Sequence, residues 1–230
     1  AVAAPRRPHR VAFAATIGGS PVDQETENIC RDSMRHFKNV GSKVEEIAID
    51  LENLEDTFLA LRSQEFVIDR ELQLQRYRDQ IKPDIIWNTE LGLDQSTSTL
   101  AKAERARAAL YAQFNDLFSQ YDLIVTPGAN TPAFDVELRF PEAINGIKLE
   151  HYMAASTLTA AVTISASPAL SLPCGFDQYG RPIGLQLIGR PRGEAALLAA
   201  GALFEVESGL AEQVPIDPRH GKVPPIGKLT

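Results

Sequence analysis

Residues 168–190 read PALSLPCGFDQYGRPIGLQLIGR, and this stretch carries most of the information on the fold. Two apolar runs flank a polar break of four residues, Asp177–Gly180. Short apolar runs that are bounded by turn residues are typical of buried strands. We therefore predict two adjacent strands, Ala169–Phe176 and Ile183–Gly189. Because Pro173 has no N–H to donate, we expect it to mark the end of the pairing between them.

Cys174 lies near the end of the first run, and a thiol at this place raises the question of cysteine catalysis. A catalytic thiol needs a general base close by. From the sequence, no histidine can be assigned to Cys174 as its base. The chain has four histidines, which are His9, His36, His151 and His220. Free cysteines are among the residues most often buried. We interpret Cys174 as a buried residue at a strand end.

Further strands and helices alternate on the amino-terminal side of this stretch. Arg10–Ala15 and Lys43–Ile49 have strand patterns, and a helix capped by Asp23 lies between them. Asp122–Pro127 is a largely apolar run that ends in Pro, and Glu194–Ser208 is a strongly apolar helix. Such alternation predicts an α/β fold in which helices cover a largely buried sheet. We expect one domain over residues 1–230, since no linker divides the chain.

The middle of the chain is predicted to be helical. Leu54–Lys82 has a helical pattern that Pro83 stops, and Ser96 or Ser98 caps the next helix. We expect a long loop over 129–148, of a length that is often functional, and a helix over 150–165. The proline-containing tail from residue 214 is expected to run over the surface.

Composition narrows the range of functions. Lys and Arg number 23 and Asp and Glu 30, so the net charge of −7 disfavours a nucleic-acid or anionic-membrane surface. The two cysteines, Cys30 and Cys174, are far apart in the sequence, which favours a reducing compartment and a cytoplasmic protein. No run approaches a membrane span and no signal peptide is recognised at the start, AVAAPRRPHRVAFAA.

No motif for a cofactor or a metal ion is present. Gly18-Gly19 lacks the spacing of a phosphate-binding loop, and no His, Cys, Asp or Glu cluster has metal-ligand spacing. The nucleophile motif G-x-S-x-G is also missing from the sequence. We therefore expect no cofactor, and the motifs alone define no complete active site.

The segment from Ser167 to Glu205 resembles the carboxy-terminal block of the amidase signature family. That block reads like G-x-P-A-x-S-x-P-x-G-F, then G-x-P-x-G-x-Q-(L/I)-(I/V)-G, followed by a helix that opens with E-x-x-L-L. The strand that ends in Thr126-Pro127, the loop Ile144–Gly146 and the following Tyr152 are similar to the family as well. The resemblance implies a mixed sheet with helices on both faces, and an amide-hydrolysing enzyme.

The catalytic residues that the resemblance implies are missing from this chain. The family uses a Ser nucleophile, a second Ser and a Lys base on and before a Gly/Ser-rich stretch. No Ser-Ser pair occurs in the sequence, and Gly18–Pro21, the nearest string, lies in a loop between a strand and a helix. We therefore expect the carboxy-terminal half of an amidase, which arises by cleavage, truncation or a split gene. It would lack a complete sheet, be inactive alone, and pair with an amino-terminal catalytic half.

The resemblance also implies which residues form the wall of a pocket for a small amide substrate: Thr126, Pro127, Tyr152, Thr159 and Ile188. The glutamine-using amidotransferase branch of the family carries an acidic residue near the position of Ser156, which favours a general amidase for this chain. Two alternatives remain, the A-type subunit of a glutamine-dependent tRNA amidotransferase and a non-enzymatic binding module on an amidase scaffold. A homo-oligomer is compatible with each of them.

Overall fold

A computed structural model of the protein describes residues 2–210 and 213, so the tail predicted from residue 214 lies outside the described residues. The strands are β1 (Arg10–Phe13), β2 (Lys43–Glu46), β3 (Leu123–Pro127), β4 (Ala143–Ile144), β5 (Ile147–Lys148), β6 (Ala169–Phe176) and β7 (Pro182–Ile188). The α-helices are α1 (Gln24–Ser33), α2 (Arg35–Asn39), α3 (Leu54–Tyr77), α4 (Pro83–Asp94), α5 (Thr97–Gln120), α6 (Thr157–Ile164) and α7 (Glu194–Ser208). No described helix combines the length and the apolar character that a membrane crossing requires.

Five strands form one mixed sheet in the order β2-β1-β3-β7-β6. The β1 strand runs parallel to both β2 and β3, whereas β7 runs antiparallel to β3 and β6. This arrangement confirms that β6 and β7 are adjacent strands, as the sequence predicts. The short strands β4 and β5 form a separate hairpin within the long loop that follows β3.

Helices cover both faces of the sheet. On one face, Ile124 and Ile188 pack against helices α3, α5 and α6, and Phe114 and Leu158 are among the almost fully buried members of the cluster. On the other face, strand residues such as Leu187 pack against α1, α2 and α7. All five residues of β3 are buried, because this strand lies at the centre of the sheet and is covered on both sides. The predicted mixed sheet with helices on both faces is therefore confirmed.

Local capping signals in the sequence are realised in the structure. The Asp23 carboxylate accepts a hydrogen bond from the backbone N–H of Thr26 at 2.9 Å and caps α1. Ser96 caps α5 in the same way, through a bond of 3.1 Å from the N–H of Thr99. Both caps satisfy N–H groups that a helix end leaves without an intrahelical partner.

Pro83 begins a helix that the sequence analysis missed. The predicted helix 54–82 ends at Tyr77, and Pro83 is the first residue of α4. The prediction was wrong because proline both stops a preceding helix and suits the first position of a new one. The helix predicted over 150–165 is likewise divided into a short 3-10 helix, Tyr152–Ser156, and α6.

Pro173 does not end the pairing of β6 with β7. The register is irregular between Pro173 and Gly175, but the ladder continues to Phe176, which pairs with Pro182. The predicted end is therefore a bulge. Bulges absorb a residue that cannot donate to the ladder without separating the strands.

The helices α3 and α4 pack with their backbones in close approach at Gly92. A Cβ atom added at Gly92 would lie only 2.3 Å from the carbonyl oxygen of Ser63. Only glycine therefore allows this separation of the two helices. The approach matters for function because α4 supports one side of the cavity described below.

Candidate substrate pocket

A cavity of about 490 Å³ lies where the loop after β3 passes the end of the sheet. The chain leaves β3 at Pro127 and turns at Gly128, whose N–H donates to the carbonyl oxygen of Gly184 at 2.7 Å. A Cβ atom at position 128 would lie 3.0 Å from that oxygen, so glycine permits the close contact. The loop residues 129–134 and 139–141 then form one side of the cavity.

The lining of the cavity is mainly apolar with a few polar groups. Phe134 and Phe140 from the loop and Ile183 from β7 provide apolar surface. Thr26 and Ser156 add hydroxyl groups. Cavities of this size and character are typical of sites for small molecules, in which a few polar atoms orient an otherwise apolar ligand.

Arg139 is the charged residue of the lining, and its charge is compensated locally. Its guanidinium forms an ion pair with Asp84 at the start of α4, and it lies 5.7 Å from the centre of the Tyr152 ring. A paired cation attracts an anionic ligand less than a free one does. The cavity is therefore suited to a neutral group.

Asn130, a residue of the cavity wall, has a buried side-chain oxygen without a hydrogen-bond partner in the described part of the chain. Its side chain is 2% exposed, and its Nδ2 donates to the carbonyl oxygen of Pro21 at 2.7 Å. Its Oδ1 has no hydrogen-bond partner among the described residues. Because this oxygen is itself buried, a ligand in the cavity does not reach it in this structure, and the missing hydrogen bond is a cost borne within the loop.

Tyr152 lies at the cavity wall and is held from behind by α3 and α4. Its hydroxyl accepts hydrogen bonds from Asn88 Nδ2 at 2.7 Å and from Arg62 Nη2 at 3.4 Å. The Trp87 ring contacts it edge-on at a centroid distance of 6.0 Å. Asn88 is itself buried and donates to the carbonyl oxygen of Asp84 at 2.6 Å. This network fixes the position of the Tyr152 ring.

Of the five residues predicted for the pocket wall, Tyr152 lines this cavity. Thr126 and Pro127 are buried at the end of β3, directly before the loop, where the Thr126 hydroxyl lies 3.3 Å from Gln186 Nε2. Thr159 lies on α6 and donates to a backbone carbonyl, and Ile188 is buried in the core beside Ile124. These four do not line the cavity beside the loop, and their role in a pocket stays a prediction.

Several lining residues were missed by the sequence analysis. Phe134 and Phe140 delimit a run in which apolar residues alternate with charged ones, FDVELRF over 134–140. That alternation is a strand pattern, but the segment forms no strand in the structure, and Val136 is 91% exposed. The alternation was therefore a misleading signal, and the aromatic residues at the two ends of the run line the cavity. Within the described residues, no group of side chains is arranged to hold a metal ion.

Comparison with known proteins defines the class. A family model described as Amidase matches residues 1–198, and the chain therefore belongs to the Amidase family. It is 27% identical to the A-type subunit of the glutamyl-tRNA(Gln) amidotransferase from Streptococcus thermophilus, over 90% of this chain and 46% of that protein. The protein of the same name from Levilactobacillus brevis is 31% identical over 93% of this chain and 38% of its own length.

Solved structures share the fold. A bacterial aryl acylamidase of the amidase signature family superimposes with a TM-score of 0.80 and 21% identity, over 92% of this chain and 46% of that one. The chain thus spans about half the length of the relatives that it matches.

Proposed function

We propose that this chain forms the carboxy-terminal part of an amidase, an enzyme that hydrolyses a carboxylic amide to an acid and an amine or ammonia. Membership of the Amidase family supports this proposal, and the cavity beside the loop after β3 carries it. In this proposal the chain completes the sheet and provides one wall of the substrate pocket. The group that the cavity receives is neutral and mainly apolar, in keeping with the apolar lining and the paired Arg139.

The catalytic groups come from a second segment in this proposal. The 230 residues contain no Ser-Ser pair, and the resemblance to the family implies a Ser nucleophile, a second Ser and a Lys. The serine hydroxyl would attack the amide carbon, the C–N bond would break, and the amine would leave with a proton. Water would then hydrolyse the serine ester, which releases the acid and restores the hydroxyl. The amino-terminal catalytic half, as a separate chain or as part of a longer one, is therefore the expected partner.

A second candidate is the A-type subunit of a glutamine-dependent tRNA amidotransferase, which the names of the relatives favour. Against it stands Ser156, which lines the cavity near the position where the resemblance implies an acidic residue for the substrate amine in that branch. A serine hydroxyl cannot supply that negative charge. The two candidates therefore differ in their expected response to a Ser156→Asp substitution.

The test is to express the chain with and without the polypeptide that its own gene encodes directly upstream. We expect p-nitroacetanilide to be cleaved only when both segments are present, and equally when Cys174 is replaced by Ser. Activity of the 230-residue chain alone that disappears in Cys174→Ser would instead identify a thiol enzyme. No hydrolysis by the combined segments, of the anilide or of glutamine, would favour a binding module.

The same preparations separate the two amidase candidates. The general amidase is expected to leave glutamine intact and to acquire weak glutamine hydrolysis with Ser156→Asp, while Ser156→Asn, which has no charge, acquires none. Glutamine hydrolysis by the unmodified protein would identify the transamidating enzyme.

A further inference from the structure

Two buried cysteines that are distant in the sequence meet in the structure. Cys30 lies on α1 and Cys174 on β6, and their Sγ atoms are 3.8 Å apart. Cys30 is 0% and Cys174 4% exposed. The chain contains no other cysteine, so within the chain each thiol can form a disulfide only with the other.

The pair lies behind the candidate substrate pocket. Thr26, one helical turn before Cys30, lines the cavity, as do Ile183 and Gly184 of β7. Cys30 Sγ is 3.6 Å from the carbonyl oxygen of Gly184, and Cys174 lies between the two β6 residues that pair with Gly184 and Ile183. A covalent bond at this place would connect α1, which contributes Thr26 to the cavity, to β6, the strand that pairs with the lining strand β7.

We propose that Cys30 and Cys174 are a disulfide-forming pair that fastens α1 to β6 under oxidising conditions. A disulfide requires the sulfurs to approach to about 2.05 Å, so the two side chains must close by roughly 1.8 Å. With a disulfide oxidant such as oxidised glutathione, the two thiols lose two protons and two electrons in total. The products are one protein disulfide and two molecules of reduced glutathione.

The folded protein is expected to react slowly. The hydrogen bond with Cys174 and then burial raise the pKa of the Cys30 thiol, which keeps it protonated at neutral pH. Since the thiolate is the attacking species, oxidation requires α1 to open from the sheet or the chain to refold. The disulfide between Cys30 and Cys174 is therefore expected to form slowly, unlike the disulfide of a redox sensor, which must form quickly.

The experiment incubates the natively purified protein in moderate urea, which promotes opening of α1, with oxidised and reduced glutathione and, in parallel, with dithiothreitol. After oxidation we expect a monomer without titratable thiols, lighter by two hydrogen atoms, whose peptide map joins Cys30 to Cys174. The dithiothreitol sample should retain both thiols. The single variants Cys30→Ser and Cys174→Ser should each retain one thiol and form no intramolecular bond.

The consequences for stability distinguish a native cross-link from an accidental one. The bond closes the long loop from residue 30 to residue 174, so the oxidised monomer should melt about 5–10 °C above the reduced one, after part of the gain is lost to strain. Amide hydrogens of α1 should exchange more slowly. Two thiols that persist in the oxidised monomer, disulfide-linked dimers alone, or a cross-linked monomer that melts below the reduced one would each overturn the proposal.

Discussion

Replacing Gly92 by Ala tests how closely α3 and α4 must approach. On helix propensity alone the change should stabilise the protein by at most about 1 kcal/mol. The new methyl carbon, however, would lie 2.3 Å from the Ser63 carbonyl oxygen and 2.8 Å from the Ser63 carbonyl carbon. Those atoms belong to the backbone of α3, so the contact is relieved only if the helices separate.

The free-energy cost of separating α3 from α4 is expected to exceed the gain from the higher helix propensity of alanine. Overpacking a close contact typically costs about 1–3 kcal/mol, so we expect Gly92→Ala to lose about 1–2 kcal/mol net. At this chain length that corresponds to a fall in Tm of about 2–8 °C. Urea unfolding followed by circular dichroism measures the loss. Trp87, the single tryptophan of the chain, reports on the position of α4 through its fluorescence.

Gly201→Ala is the matched control. It lies within α7, and its added carbon would meet the Cδ2 of Leu170 at 2.3 Å. That methyl group is the end of a half-buried side chain on the edge strand β6, and it can rotate away. We expect Gly201→Ala to remain within about 1 kcal/mol of the parent protein. The reasoning fails if Gly92→Ala is at least as stable as the parent, or if Gly201→Ala is the more damaging change.

Two further predictions concern the polar contacts. Asn88→Ala should destabilise the protein by about 1–3 kcal/mol in urea, because it removes a buried donor to Tyr152; an unchanged unfolding midpoint would contradict this. Hydrogen bonds from Lys43, Tyr121 and Arg10 lower the pKa of Glu45 from 4.5 to about 2. The ionised Glu45 side chain therefore contributes to the free energy of unfolding above pH 4.5, and this contribution is lost as the pH falls towards 2. The difference in free energy of unfolding between the parent protein and Glu45→Gln should shrink over that range. A difference that stays constant with pH would exclude this contribution.

Elements whose signals are local were predictable from the sequence. The bounds of α7, Glu194–Ser208, are those expected, because its apolar residues and its flanking glycines lie within one window of sequence. The caps Asp23 and Ser96 were predictable for the same reason, since a cap acts on residues two or three positions away. The α4 helix was missed because a proline such as Pro83 is compatible both with the end of one helix and with the beginning of the next.

The site was less predictable because its parts come together only in the tertiary structure. Tyr152 was expected at the pocket from the family resemblance, but its support by Asn88 and Arg62 joins residues 64 and 90 positions away. The contact between Cys30 and Cys174 spans 144 positions and has no local signal in the sequence. Periodicity describes which side of one element is buried, and it does not describe which elements meet.

The order of the strands also has a consequence for folding during synthesis. The strands β6 and β7 are joined by a tight turn in which the Asp177 carboxylate accepts hydrogen bonds from the N–H groups of Tyr179 and Arg181, so this hairpin can form within microseconds of leaving the ribosome. β1 can pair with β3 only after more than a hundred further residues have been synthesised, and such non-local contacts form slowly. Until the hairpin docks, β3 presents an unpaired edge to solvent, and the nascent chain is then open to strand pairing with its neighbours. Changes in the 177–181 turn would lengthen that interval even where they leave the finished fold unaltered.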